Sequence, residues 1–548
     1  MNLRNVLALA AVTLLLGWFW TRGEQFFRAN GPTFDEGVHL AAGYSYWTTG
    51  RFELNREDPP LLKLLWALPV VLGDGPPYPI NTARETNNDH WAVANALLYN
   101  SGRAPGELLT PARRVNLVVG CAVALLAGWW AFRLWGSRLA GVGAVGFAVA
   151  DPSLLALSCV LSTDAGLTLL ALLACYLAWE YAAAPSRVLL YALGIALGLA
   201  LATKFSSLAV VLGLGAAGVV FVLRGGVLAL PGAPSSGSRW PALWQLAVRL
   251  GFVALVTLAA TYGFVHFGQW GGGLKFQLTR AEHGDGVMYF CGQLAREGFY
   301  SYFLAVLPLK LTLGLMAAVL VVLATRRWAG ASRLAFLVVP PLVFFALASY
   351  SRVNLGVRVV LPVVPFLCVF AAGLACGACC RTAGYSLLAI CVAWAGVSAS
   401  RSDPHPLAYF NEAVGGPRGG AAVAADSNLD WGQGLPALKA HLDANGPEVV
   451  YLSYFGTDRP EAYGIRFAPL PTYGRIGDPG GEVIPERAPR HVLVISINNV
   501  LGIYLNDPDT FAFLRDREPN DVIAGGLYVF DLTGDPDRLR RIRALTLK

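Results

Sequence analysis

The feature that most constrains this chain is a succession of apolar runs, several of them reaching the ~20 residues needed to cross the hydrocarbon of a bilayer. They fall at about residues 5–21, 112–132, 139–158, 165–183, 188–203, 205–223, 246–267, 301–324, 334–349, 359–377 and 383–399. Hydrophobic residues make up 55% of the sequence and charged residues only 14%, whereas soluble domains carry roughly 25% charge. The expectation is an all-α polytopic membrane protein with about eleven transmembrane helices. Asp151-Pro152 lies inside the third run and predicts a kink or break there. The first run follows Arg4 and is not followed by a small-residue cleavage site, so it reads as an uncleaved first helix.

Basic residues set the orientation. Arg4, Arg133, Arg138, Arg187, the 224–249 segment, the 325–333 segment and Arg381 fall on one side of such a bundle. The positive-inside bias makes that side cytoplasmic. The N-terminus is then cytoplasmic, and the opposite face receives the 22–111 loop, Asp164, Lys204, the 268–300 loop, Arg358 and residues 400–548. The net charge of +7 therefore reports orientation toward a lipid bilayer. It is no nucleic-acid footprint, since acids outnumber bases in residues 400–548.

Two domains are expected, a membrane domain over 1–399 and an extracytoplasmic α/β domain over 400–548. In the latter, residues 434–446 read as a helix closed by Asn445-Gly446, and 447–455, 491–497 and 527–532 read as short strands. The nine cysteines lie almost all in or beside apolar runs. Cys376, Cys379 and Cys380 lack the histidine or fourth thiol of a zinc site, so packing is the better reading and no metal site or disulfide framework is implied.

The chemistry concentrates in residues 33–64. Asp35-Glu36 stands shortly after the first apolar run, with His39 four residues beyond Asp35 and so on the same face of a helix. Tyr44, Tyr46 and Trp47 follow, then Glu57-Asp58-Pro59-Pro60 and Lys63. The competing reading is an Asp35 cap on an interfacial helix and an Asp58 cap followed by proline in the first turn. Asp164, Lys204, Lys310 and Arg358 add ionisable groups at the ends of runs on the same face. Charges at membrane depth are costly and mark functional sites. Placed at span ends, they suit an enzyme that draws its substrate from the lipid surface. A transporter or lipid flippase more often sets its acids at mid-membrane in repeated halves, and no inverted repeat is visible. A receptor working through residues 400–548 alone would leave these charges unexplained.

Several segments carry a family resemblance. They are Phe34-Asp35-Glu36-Gly37-Val38-His39; Asp58-Pro59-Pro60-Leu61-Leu62-Lys63; Ser162-Thr163-Asp164; Thr203-Lys204-Phe205-Ser206; Glu297 to Phe303 with Lys310; and Asn354-Leu355-Gly356-Val357-Arg358 before Leu361-Pro362. They are followed by His405 to Glu412 and Asp426 to Gln433. In this order they resemble the integral-membrane glycosyltransferases of the GT-C class, closest to the protein O-mannosyltransferase-like, lipid-carrier-dependent group of bacteria (glycosyltransferase family 39). Asp58 and Val359 depart from the family pattern, which commonly has histidine at both places.

The resemblance implies inverting transfer of a sugar from a polyprenyl-phosphate donor to a hydroxyl on a protein, lipid or glycan acceptor, outside a bacterial cytoplasmic membrane. It implies Asp35 as general base, with Glu36 or Asp164 positioning the acceptor or stabilising the oxocarbenium-like centre. Arg358, Lys63, Lys204 and Lys310 would bind the donor phosphate, Arg358 bidentately; the competing reading of each lysine is interfacial snorkelling. His39, Trp47, Asp58, His283 and Trp431 are candidates for acceptor or sugar contacts. For Trp431 the competing reading is an indole packed inside behind a helix cap. No cofactor is expected. A divalent ion bridging Asp35, Asp164 and a phosphate is compatible with the residues, but no spacing calls for one.

Overall fold

The computed structural model describes residues 3–546 apart from 80–83, 86, 232–238, 284–285, 326–331, 377–380, 446–448 and 474–489. Among the described residues, seven helices are long and apolar enough to cross a membrane, or up to 9 when each of two bent pairs counts as one span. This is a multi-span membrane protein, mostly helical, with a small sheet region at its C-terminal end. All the apolar runs are helical. The fifth and sixth form the shorter helices Arg187–Leu201 and Ser207–Leu223.

The two bent pairs have different causes. Arg138–Val149 and Pro152–Ser158 meet at 66°. There the Asp151 carboxylate accepts the Leu154 N–H at 2.7 Å, and Pro152 occupies the first turn of the new helix. The kink read from Asp151-Pro152 is therefore a full restart. Tyr302–Lys310 and Leu313–Thr325 meet at 109°, although the apolar run is nearly unbroken in sequence. Leu311 is extended there, and Lys310 at the corner is buried under the C-terminal region.

Residues 22–111 are not an open loop. The first helix continues to Ala29, and Glu36–Thr49, Leu61–Leu72 and His90–Tyr99 form further helices. They share a core of Val38, Leu40, Trp66, Leu97 and Leu109. Gly43 lets the Glu36–Thr49 helix lie directly on the backbone of Leu61–Leu72, since a Cβ at Gly43 would collide with the Lys63 carbonyl.

The C-terminal sheet has the order β4-β3-β5-β7-β6, from β3 (Val449–Ser453), β4 (Ala468–Pro469), β5 (His491–Ser496), β6 (Asp521–Ile523) and β7 (Leu527–Asp531). Strand β3 pairs in parallel with β4 and β5, and β7 runs antiparallel to β5 and β6. Alternate residues serve two cores. Val450, Leu452, Val492 and Val494 pack under the helix Leu435–Asn445, while Tyr451, Leu493, Ile495 and Phe530 join the main core. Burial on both faces explains why these strands read as continuous apolar runs. A two-stranded hairpin, β1 (Met288–Phe290) with β2 (Gln293–Ala295), lies in the 268–300 segment and touches Ala424.

Gly43→Val should overpack the helix contact beneath Asp35 and cost about 1–3 kcal/mol, read as a lowered melting temperature of the detergent-solubilised protein. Gly17→Val, where a Cβ meets nothing, should change it little.

Candidate active site

Residues 30–36 connect the first helix to the Glu36–Thr49 helix and carry Asp35 at its N-cap. Glu36 anchors them. It is fully buried and takes Arg113 Nε at 2.8 Å and Nη2 at 2.5 Å, the Thr33 N–H at 2.8 Å and the Leu161 N–H at 3.0 Å. Arg113 also donates to the carbonyls of Asn30 and Gly31. Every strong acceptor direction of Glu36 is spent on the protein, a geometry that suits holding its neighbour in place.

Asp35 itself remains about a third exposed, and its Oδ2 lies 3.2 Å from Nη1 of Arg358. Arg358 is the second residue of the 3-10 turn Val357–Val363, so the structure joins two residues more than three hundred positions apart. The guanidinium also donates from Nε to the Leu355 carbonyl at 3.2 Å and lies over the Trp431 ring, 4.3 Å from its centroid. Asp164 and Asp426 act on its charge as well.

Asp164 forms the second pair of the site. It is buried, takes an ion pair from Lys204 and accepts from the Ser162 hydroxyl. Ser162, not Asp164, caps the helix Thr163–Ala183. Lys204 stays about a quarter exposed.

His39 and Asp58 form a third pair, Nε2 to Oδ2 at 3.4 Å. Nδ1 of His39 meets the Leu161 carbonyl at 2.6 Å, so both ring nitrogens face acceptors. Burial pulls the imidazole pKa down, but the hydrogen bond and charge of Asp58 outweigh it and leave it above its ordinary value. Burial likewise pushes Asp58 up, yet His39, Lys63 and Lys204 hold it well below the usual carboxylate range. Asp58 thus stands opposite an imidazole that is charged when protonated.

The remaining candidates fall elsewhere. Lys63 is buried, and its Nζ reaches the carbonyls of Asn55 and Asp58 at 2.6 Å and the Tyr46 hydroxyl at 3.2 Å. Lys310 is buried likewise, giving Nζ to the Leu407 and Asn428 carbonyls at 2.9 and 2.6 Å over the Phe410 ring. Both lysines are engaged by backbone carbonyls, while Arg358 and Lys204 keep exposed surface. Trp47 is exposed, bonds the Leu64 carbonyl and lies ~18 Å along its helix from Asp35. Trp431 is 3% exposed and already covered by Arg358, so its ring is no open platform for a sugar. His283 ends the helix Gly268–His283, and its side chain lies outside the described residues. Among the described residues no group of three or more His, Cys, Asp or Glu could hold a metal ion.

Sequence reasoning missed Arg113, whereas Asp426 and Asn428 fell within a segment that the family resemblance picked out. Arg113 had a signal. It sits on the face that the charge bias assigns to the outside, where an arginine needs a reason.

Raising the pH through the His39 pKa should remove the stabilisation from its pair with Asp58. That contribution is full below the unfolded histidine value of about 6.5 and is lost as pH rises through the higher folded value. The gap in melting temperature between wild type and His39→Gln should therefore shrink from pH 6 to pH 9.

Residues 12–267 match the family model of dolichyl-phosphate-mannose-protein mannosyltransferases. A comparison with curated protein sequences found no match. Among solved structures, ArnT from Cupriavidus metallidurans bound to undecaprenyl phosphate is 14% identical with a TM-score of 0.47, the match covering 95% of this chain and 97% of that one. Its apo state gives the same identity and TM-score over 99% and 98%. The Pmt1-Pmt2 complex of S. cerevisiae bound to the sugar donor is 18% identical with a TM-score of 0.35, over 48% of this chain and 34% of that one. The family match runs from the first helix past the span Arg239–Thr261 and includes Asp35, Asp58, Asp164 and Lys204: over these residues the chain is similar to the protein O-mannosyltransferase-like membrane glycosyltransferases of the GT-C class.

Proposed function

We propose that this protein transfers a sugar, with inversion, from a polyprenyl-phosphate-linked donor to an acceptor hydroxyl outside a bacterial cytoplasmic membrane. Residues 1–399 form the catalytic membrane domain and 400–548 an extracytoplasmic domain. The observation that carries this reading is the Asp35–Arg358 pair. A partly exposed carboxylate and a partly exposed guanidinium, from distant parts of the chain, stand together with Lys204 and Asp164 close by. The named relatives bound to a polyprenyl phosphate or a sugar donor suit the same donor chemistry.

The acceptor O–H gives its proton to Asp35 as its oxygen attacks the anomeric carbon. The bond from that carbon to the phosphate oxygen breaks, and its electron pair leaves with the polyprenyl phosphate. Arg358 and Lys204 face the negative charge that grows there. In the structure Asp35 pairs its carboxylate with Arg358. A donor phosphate competes for the same guanidinium, so its arrival weakens that pair and leaves Asp35 free to accept a proton. Asp164 keeps Lys204 aimed at the site through their ion pair.

The test is purified protein in lipid with radiolabelled polyprenyl-phosphate hexoses, mannose among them. Asp35→Asn should lower kcat by roughly 10²–10⁴-fold while donor binding persists. Arg358→Lys should mainly raise KM for the donor, since a lysine loses the bidentate contact. Turnover by Asp35→Asn equal to wild type would show that this carboxylate is not the base.

A further inference from the structure

The segment Asp426–Gln433 stands out in sequence, yet the transfer chemistry above gives it no task. In the structure it is bonded to the chain on both sides of the Asp35–Arg358 pair. On the Asp35 side, the Gly31 N–H donates to the Gln433 carbonyl and the Phe34 N–H to the Trp431 carbonyl, each at 2.9 Å. On the Arg358 side, the Ser427 hydroxyl donates to the Leu355 carbonyl at 2.6 Å, and the Val357 N–H donates to Oδ1 of Asn428 at 3.0 Å. Gly356 lies between these two bonds with φ +86°, and a Cβ there would come within 2.7 Å of the Ser427 hydroxyl. The segment is itself well held. Nδ2 of Asn428 donates to the Tyr302 hydroxyl at 2.8 Å, and Lys310 donates to the Asn428 carbonyl. Asp430 accepts from the Ser496 hydroxyl at 2.5 Å and the Gly432 N–H at 2.9 Å, which ties the segment to the end of β5.

We infer that this segment is the floor of the lipid-phosphate site, and that Trp431 is a positioning residue which holds the Arg358 guanidinium by its face. The inference rests on the reading of Arg358 as a phosphate ligand. The guanidinium carbon stands over the indole ring, and its N–H groups lie in the guanidinium plane, where a phosphate is met bidentately. Nε is engaged by Leu355 and one Nη1 donor by Asp35, while among the described residues no protein acceptor meets Nη2. The edge that carries Nη2 is therefore available to a lipid phosphate. Trp431 fixes the tilt of that edge, and Ser427 and Asn428 fix the backbone from which Arg358 springs. The C-terminal region thereby supplies part of the donor site, although it contributes no charge that must touch the phosphate.

The test measures binding of polyprenyl phosphate, without sugar, to the full chain in lipid nanodiscs. The proteins compared are wild type, Trp431→Phe, Trp431→Leu, Arg358→Gln and the double variant Arg358→Gln/Trp431→Leu, with a thermal melt of each. Trp431→Leu should weaken binding roughly tenfold and Trp431→Phe, which keeps a ring face, about threefold or less. The double variant should bind no more weakly than Arg358→Gln alone, because Trp431 acts through that guanidinium. Should Trp431→Leu not fold, the decision falls to Trp431→Phe with its own double variant, judged by the same non-additivity. Wild-type affinity in the folded Trp431 variants, or losses that multiply in the double variant, would overturn the positioning role while leaving Arg358 as the ligand. Absence of binding by wild type, or full binding by Arg358→Gln, would overturn the lipid-phosphate reading and this inference with it.

Discussion

The buried Glu36–Arg113 pair is the constraint on which the site depends. Two charges removed from water cost several kcal/mol each unless every donor and acceptor is matched. Here the carboxylate also takes two backbone N–H groups, and the guanidinium also reaches two backbone carbonyls. The result is a knot joining the end of the first helix, the helix Pro105–Trp135 and the turn before Thr163–Ala183. Such a pair is weak evidence for stability but strong evidence for fixed geometry, because breaking one half strands the other. Asp35 is the next residue along, and it can stay partly exposed because its neighbour is not.

Around that knot the ionisable groups divide into two kinds. Glu36, Arg113, Lys63 and Lys310 are closed off, each bonded by the protein itself. Asp35, Arg358 and Lys204 are paired but keep one side to solvent. The closed groups bend and brace the chain. Lys310, at the corner of a helix pair bent by 109°, donates hydrogen bonds to two carbonyls of the C-terminal region. The open groups are the ones that can exchange a partner for a substrate.

The membrane helices and the C-terminal strands were legible in the sequence because both write their burial into long apolar runs. The restart at Asp151-Pro152 was legible because cap and proline are adjacent in sequence. The sharper corner after Lys310 was not, since it depends on carbonyls of Leu407 and Asn428 roughly a hundred residues away. The same limit governs the site. Asp35, Asp164, Lys204 and Arg358 were found as charges at span ends, and the fold gathers them. Lys63 and Lys310 look alike in sequence, but a local reading does not show which cations the backbone will consume. Trp431 was read as a possible ring for a sugar, whereas its ring carries a guanidinium. The burial of Glu36 was not legible because its partner, Arg113, lies 77 positions away.

The contacts of residues 31–34 have a consequence for how the molecule comes into being. The backbone of Gly31 and Phe34 is bonded to Gln433 and Trp431, and the Phe34 carbonyl accepts from Thr457, 423 positions later. A chain grows from its N-terminus, so the segment that bears Asp35 is among the first parts to be made and among the last to be fixed. Long-range closures of this kind are slow and come late in folding. A ribosome-bound or truncated chain would carry the right acid but lack its seat.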